Sequence, residues 1–187
     1  MEENIIPTLS RNWLRGYYYT RGLVSAAWVA AAFTLGQANP TIAAFLLVAY
    51  PLWDAIANFA DARQSGGLAR SVFQTINVAI SAIVAIAVAV TIGSGMNIVL
   101  GVFGIWAGLS GILQLIVGVR RWKTFGAQWT MVLSGLQSAL AGGFFIKLSL
   151  DAATPAIGAI AGYAGFGAFY FLLSAVLLTF SKRSQTD

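Results

Sequence analysis

The stretch that decides the fold is NPTIAAFLLVAYPLWDAIANFADAR, residues 39–63. Its apolar run, residues 41–60, is long enough to span a bilayer, because ~20 residues at ~1.5 Å each cover the ~30 Å hydrocarbon core. Pro40 suits the first turn of a helix, where its missing N–H would have had no intrahelical acceptor. Asp54 lies well inside the apolar run, and Arg63 closes the stretch. These residues predict a transmembrane helix that carries one intramembrane carboxylate.

The composition of the whole chain agrees with a membrane protein. Of its 187 residues, 58% are hydrophobic and 9% are charged, whereas soluble domains average ~25% charged residues. The mean hydropathy is +0.78. A soluble domain of this size could not bury so much apolar surface, so lipid must surround most of the chain.

The chain contains no cysteine and no histidine. Their absence excludes thiolate nucleophiles, disulfides, cysteine–histidine zinc sites and histidine acid–base chemistry. An intramembrane enzyme would have to use Asp54, tyrosine or serine, and no second carboxylate is expected at a similar depth. We therefore predict a protein that is not an enzyme and that has no cofactor or metal.

Six apolar segments predict six transmembrane helices, and basic residues predict their orientation. The segments run over residues 17–35, 41–60, 72–92, 98–119, 129–150 and 155–180. Ten of the eleven Lys and Arg residues fall on one side of this arrangement, and only Lys147 falls on the other. By the positive-inside rule, both termini are expected in the cytosol. Because the basic residues mark helix ends rather than a patch interleaved with aromatics, the net charge of +5 does not indicate a nucleic-acid partner.

A repeat underlies these six segments. Pro40, Asn97 and Pro155 each begin the second helix of a hairpin, at separations of 57 and 58 residues. The predicted fold is all-α: a polytopic membrane protein built from three parallel helical-hairpin repeats, about 17–63, 72–121 and 129–181. Residues 1–16 form a cytosolic or interfacial arm, residues 17–181 the transmembrane domain and residues 182–187 a cytosolic tail.

Polar residues inside the segments concentrate in their cytosolic halves. We predict one intramembrane polar cluster made of Arg21, Asp54, Asn58, Gln74, Asn77, Gln114 and Gln137. Charged groups in a membrane should face inward and be paired, because each costs ~2.5–3.5 kcal/mol to insert on translocon scales. One interpretation is a structural clamp in which Asp54 bonds Arg21. The other is a cytosol-open cavity that binds a small solute or takes up a proton at Asp54.

Glycines recur at helical spacing in the fourth and sixth segments. The predicted helix-packing positions are Gly101, Gly104, Gly108, Gly111, Gly158 and Gly162. Small residues let helix backbones approach closely, which is a main source of cohesion between helices in lipid. These glycines lie mid-segment and not in a loop that opens a helix, so a phosphate cradle is not indicated.

The hairpin repeat, the Arg21–Gly22 pair, SGLQSALAGGFF at residues 134–145 and GIWAGLSGILQLIVGVRR at residues 104–121 resemble the HdeD family. This is a family of six-helix bacterial inner-membrane proteins associated with acid resistance. The resemblance spans about residues 13–183 and implies a plasma-membrane protein of acid and envelope stress resistance. It carries no catalytic motif, and the polar pair Asp54 and Asn58 departs from the family pattern.

Two functional hypotheses follow. The first is a non-catalytic structural or partner-binding role in stress resistance. The second is a small-solute or proton-linked transporter or binding protein that uses the polar cavity around Asp54. An open pore is disfavoured, because the outer halves of the helices offer few groups to replace the hydration of an ion. The expected partners are the lipid bilayer and either further copies of this chain or other membrane proteins.

Overall fold

A computed structural model describes residues 10–124 and 128–180. The described residues form six long helices and contain no strand: α1 (Arg11–Ala31), α2 (Pro40–Gln64), α3 (Val72–Thr91), α4 (Met96–Arg121), α5 (Gln128–Ser149) and α6 (Ile157–Phe180). A π-helical turn (Ala32–Gly36) follows α1, and a 3₁₀ turn (Ile92–Ser94) follows α3. Helices α2 to α6 are each long and apolar enough to cross a membrane. The prediction of an all-helical fold is confirmed over the described residues, and the five apolar helices agree with the predicted multi-pass membrane protein.

The first helix differs from the predicted segment at its start. α1 begins at Arg11, and the side chain of Ser10 caps it by accepting a hydrogen bond from the backbone N–H of Trp13 at 3.1 Å. The part of the predicted arm from residue 11 to residue 16 is therefore the start of α1. The remaining residues of that arm and the predicted tail at 182–187 lie outside the described residues.

The second helix begins as its sequence predicts and ends later. Asn39 caps it by accepting hydrogen bonds from the N–H groups of Thr41 and Ile42, and Pro40 occupies the first position. The helix continues to Gln64, four residues beyond the predicted segment. Its extra turn places Asp61 inside a helix and not in a loop.

The six helices pack in a ring in chain order, and successive pairs of neighbours pack to different extents. α2 packs on α3, α4 on α5 and α6 on α1, whereas α1 and α2 touch little along their length. The π-helical turn after α1 contacts α2 and α6 instead. We call the end that holds the start of α1 and the end of α2 the basic end, because Arg11, Arg15, Arg63, Arg120 and Arg121 lie there.

An apolar core fills the half of the bundle away from the basic end. Its aromatic members are Trp28, Tyr50, Phe103, Trp106 and Phe145, all buried. The ring of Trp106 packs edge-on against Tyr50 and Phe103, with centroids 5.6 Å and 5.5 Å apart. Of these aromatic residues, Tyr50 and Trp106 lie at the border between the apolar core and the polar half of the molecule.

Candidate functional site: a polar cavity in the basic half of the bundle

The carboxylate of Asp54 is the centre of a buried hydrogen-bond network. It pairs with the guanidinium of Arg21 on α1 and accepts hydrogen bonds from Asn58 Nδ2 at 3.0 Å and from Ser81 Oγ on α3 at 2.8 Å. The indole N–H of Trp106 on α4 donates to that same Ser81 oxygen at 2.9 Å. Asp54 thereby connects α2 directly to α1 and α3, and through Ser81 to α4.

Arg21 has a second set of contacts besides Asp54. One guanidinium nitrogen donates to the hydroxyl of Tyr17 at 3.2 Å, one turn earlier on α1. Its central carbon lies 4.3 Å from the ring centroid of Phe171 on α6, a distance at which the ring face attracts the cation. The Nε of Arg21 is buried and has no hydrogen-bond partner among the described residues. The cation therefore contacts residues of three helices, and its Nε is the guanidinium nitrogen without a partner among the described residues.

A second buried ion pair lies closer to the basic end. Arg121 at the end of α4 donates to both carboxylate oxygens of Asp61 at 2.7 and 2.9 Å, and to Ser65 at 3.0 Å. Asp61 is only 3% exposed. The predicted second segment ends at residue 60, just before this carboxylate, and Arg121 is one of the ten basic residues that predict the orientation. The signal that could have found the pair is the seven-residue spacing from Asp54, which puts both acids on the same face of a longer α2.

These two ion pairs border two adjoining cavities. The inner cavity is lined by all six helices, with Arg21, Asp54, Asn77, Gln114, Gln137 and Tyr170 contributing one polar group each. Its volume of ≈ 50 Å³ would hold a few water molecules, because each needs ~10–15 Å³. The outer cavity, of ≈ 40 Å³, is lined by Asn58, Asp61, Gln74 and Arg121 among others.

Four residues line both cavities and form the constriction between them. They are Arg21, Asn77, Gln114 and Phe171, from α1, α3, α4 and α6. All seven residues of the predicted polar cluster thus border this cavity pair. Within it, Asn77 accepts a hydrogen bond from Ser110 at 2.7 Å, which joins α3 to α4.

Beyond the inner cavity, toward the opposite end of the bundle, the packing is apolar. Tyr50 and Trp106 line both this cavity and the apolar core. The core behind them contains buried aliphatic residues such as Val88, Leu100 and Ile160. Polar groups are therefore concentrated on the side of the bundle that ends in basic residues.

The predicted glycines fall into two groups. A Cβ built on Gly104 would lie 2.9 Å from the backbone N of Ile146, and one built on Gly111 would lie 2.5 Å from the backbone N of Ala139. These two positions hold α4 against α5. The contact at Gly101 is less close, since the atom nearest to a Cβ built there is the hydroxyl oxygen of Ser149 at 3.2 Å.

The other predicted packing positions differ from expectation. A Cβ on Gly158 would make ordinary contact with Gln37, at 3.4 Å. Nothing lies within 4 Å of a Cβ on Gly108 or Gly162. Gly108 still contacts α5 through its backbone, because a Cβ on Gly142 would lie 2.5 Å from its nitrogen. Gly162 is exposed on the outside of α6, so the small-xxx-small spacing there does not mark a packed face within this chain.

The described residues contain no group of three or more Asp, Glu, Cys or His side chains that could hold a metal ion. The chemistry available at the cavity is that of amides, hydroxyls, indoles and two ion pairs. No family model matches the chain, and the searches of curated proteins and solved structures also returned no match. The resemblance to the HdeD family stays a prediction carried by the residues quoted above.

Proposed function

We infer that this chain is a non-catalytic membrane protein of acid and envelope stress resistance, of the HdeD type. In this proposal, buried polar clamps hold the basic half of the bundle together. The observation that carries it is that both oxygens of Asp54 are engaged, since the carboxylate accepts from Arg21, Asn58 and Ser81. A carboxylate whose oxygens already face three donors is arranged to hold helices together, not to act as a free base.

The proposal includes six spans with both termini in the cytosol of a bacterial inner membrane. α1 is less apolar than α2 to α6, because Arg11, Arg15 and Arg21 lower its hydropathy. It nevertheless packs along α6 and supplies Arg21 to the central cavity, as an integral helix would. The excess of basic residues at one end supports a cytosolic position for that end.

Three hairpin repeats are part of the same proposal. The tight packing of α2 on α3, α4 on α5 and α6 on α1 supports a threefold pattern. Positions spaced by seven residues also correspond between the second helices of the hairpins at a 57-residue offset, one residue less than the separation of Asn97 and Pro155. They are Leu47, Asp54 and Asp61 in α2, Gly104, Gly111 and Gly118 in α4, and Ala161, Ala168 and Ala175 in α6, all buried. In the first hairpin, carboxylates thus occupy positions at which the other two hairpins have small residues.

The stress role is tested by acid survival of the source bacterium after deletion of the gene. Wild-type protein supplied from a plasmid should restore survival, Asp54→Asn should restore less, and Asp151→Asn should match wild type. Asp151 is a suitable control because it is exposed in the loop between α5 and α6. Unimpaired survival of the deletion strain would reject the stress role.

A second candidate is a small-solute or proton-linked binding protein or transporter. It is favoured by the polar lining that all six helices give to the inner cavity. In proteoliposomes that contain a pH-sensitive dye, an imposed membrane potential should drive proton entry through wild-type protein and through Asp151→Asn, but not through Asp54→Asn. A dye signal equal to that of protein-free vesicles would reject the proton-linked form.

A further inference from the structure

A groove opens to the lipid side of the bundle between α1 and α2. Its volume is ≈ 350 Å³, within the ~300–1,000 Å³ typical of ligand pockets. α1 contributes the face that carries Asn12, Gly16 and Thr20, and α2 contributes Ile56 and Ala60. It lies in the half of the bundle that ends in basic residues, since Asn12 is near the start of α1 and Ala60 near the end of α2.

The groove exists because two chain-adjacent helices do not pack on each other. α1 and α2 make few contacts, and nothing lies within 4 Å of a Cβ built on Gly16. Ile56 is 54% exposed. Small residues such as Gly16 and Ala60 normally let helices approach closely, yet here they border open space. An occupant from outside the chain is required to fill it, because a membrane offers hydrocarbon and not a void.

The groove and the inner polar cavity lie next to each other and share lining residues. Arg21 and Trp53 line both the groove and the inner cavity. The indole Nε1 of Trp53, like the Nε of Arg21, is buried and has no hydrogen-bond partner among the described residues. Arg21 and Trp53 therefore lie between the groove and the inner cavity, and Tyr17 lies between the groove and the outer cavity.

The charge around the groove selects the class of lipid. The charged side chain in its lining is Arg21, whose charge the adjacent Asp54 balances, and none of its lining residues is a carboxylate. Arg63 follows Ala60 by one turn at the basic end and is exposed, with its guanidinium 5.9 Å from the ring centroid of Phe59. The two buried carboxylates of this half of the described chain are already paired, with Arg21 and Arg121. Basic groups at a membrane surface attract anionic headgroups.

We propose that the groove between α1 and α2 binds an anionic phospholipid of the leaflet at the basic end. One acyl chain lies along Gly16 and Ile56 and ends against Trp53 and Arg21. The phosphate lies at the mouth of the groove, near Arg63 and Asn12. The bound chain seals the lateral side of the polar cavity, so that the Asp54 network is kept from bulk lipid.

The test is quenching of tryptophan fluorescence by phospholipids with brominated acyl chains, because Trp13 and Trp53 both line the groove. The purified full-length protein is titrated in detergent with brominated phosphatidylglycerol or brominated phosphatidylcholine. We expect half-maximal quenching at an about fivefold lower fraction of the anionic lipid. That factor corresponds to the ~1 kcal/mol that one arginine near the surface contributes.

Two pairs of variants test the binding of the acyl chain and the binding of the headgroup separately. Gly16→Leu fills the groove and should lose the part of the quenching that Trp13 and Trp53 contribute, while the exposed Trp122 and Trp129 stay quenched. Gly143→Leu, at a position on α5 that also faces open space, should behave as wild type. Arg63→Gln should lose the preference for the anionic lipid, whereas Arg70→Gln, an exposed arginine of the α2–α3 loop, should keep it. Equal quenching of wild type by both lipids would overturn the anionic assignment. Undiminished quenching in Gly16→Leu would overturn the groove as the site.

Discussion

At the scale of single residues, Asp61 and Arg121 form a buried ion pair in which Ser65 is the further hydrogen-bond partner. The acid is buried and both of its oxygens are bonded to the same guanidinium nitrogen. Removing one member of a buried pair leaves the other as an uncompensated charge, which is more destabilising than the pair itself is stabilising. Replacing either member alone is therefore expected to destabilise the fold.

We predict that Arg121→Gln lowers the free energy of unfolding by ~3–5 kcal/mol, the usual loss on breaking a buried pair. The control is Arg120→Gln. Arg120 is exposed and lies 5.2 Å from the ring centroid of Phe73, an interaction of ~0.5–1 kcal/mol at an exposed site. Thermal unfolding of the detergent-solubilised proteins measures both. Equal melting temperatures for the two variants would mean that the Asp61 pair does not stabilise the fold.

The sequence allowed one of the two ion pairs to be predicted. Arg21 and Asp54 could be matched because helical rise places both at a similar depth in consecutive segments. The predicted segment ends at residue 60, outside which Asp61 falls, because hydropathy drops at Asp61 and helix ends cannot be located closely from the sequence. Ser81 and Trp106, which complete the Asp54 network, depend on the rotation of α3 and α4, and one sequence gives no measure of that rotation.

At the scale of helices, the close approach of α4 and α5 depends on glycines on both. A Cβ on Gly135 would lie 2.6 Å from the backbone N of Leu115, and one on Gly111 would meet Ala139 at 2.5 Å. Backbone atoms cannot move aside as a flexible side chain can. A residue with a Cβ at either position would therefore clash with the backbone of the facing helix.

We predict that Gly111→Ala destabilises the protein by ~1–3 kcal/mol, as overpacking typically does. Gly108→Ala and Gly143→Ala should leave the melting temperature unchanged or raise it, because a Cβ there meets nothing within 4 Å and alanine favours a helix by up to ~1 kcal/mol. A Gly111→Ala protein as stable as the two controls would contradict the packing described here.

The positions of the helices in the chain can be predicted more closely than which helices pack against each other. Segments of apolar residues located all six helices to within a few residues at most ends, because a span needs a fixed length of hydrocarbon contact. The short connection between α1 and α2 suggested that they pack as a pair, but they are largely apart and the ion pair of Arg21 and Asp54 bridges them. Adjacency in the chain fixes the distance between two helix ends and not the packing along their length.

At the scale of the whole molecule, the proposed orientation places the basic end in the cytosol. Because the chain lacks native cysteine, a single introduced cysteine reports the orientation without background labelling. Gln37 and Gln64 are both exposed, beyond the end of α1 and at the end of α2. An impermeant thiol reagent applied to intact spheroplasts should label Gln37→Cys and spare Gln64→Cys. Labelling of Gln64→Cys alone would reverse the orientation.

The central claim is that the pair of Arg21 and Asp54 connects α1 to α2 across the gap between them. A double-mutant cycle on the free energy of unfolding tests it most directly, using Arg21→Gln, Asp54→Asn and the double variant, since such a cycle isolates the coupling of two residues. Each single change should destabilise, and the double variant should recover ~1–3 kcal/mol of the summed loss. Losses that add to within ~0.5 kcal/mol would contradict the claim, because uncoupled residues behave in that way.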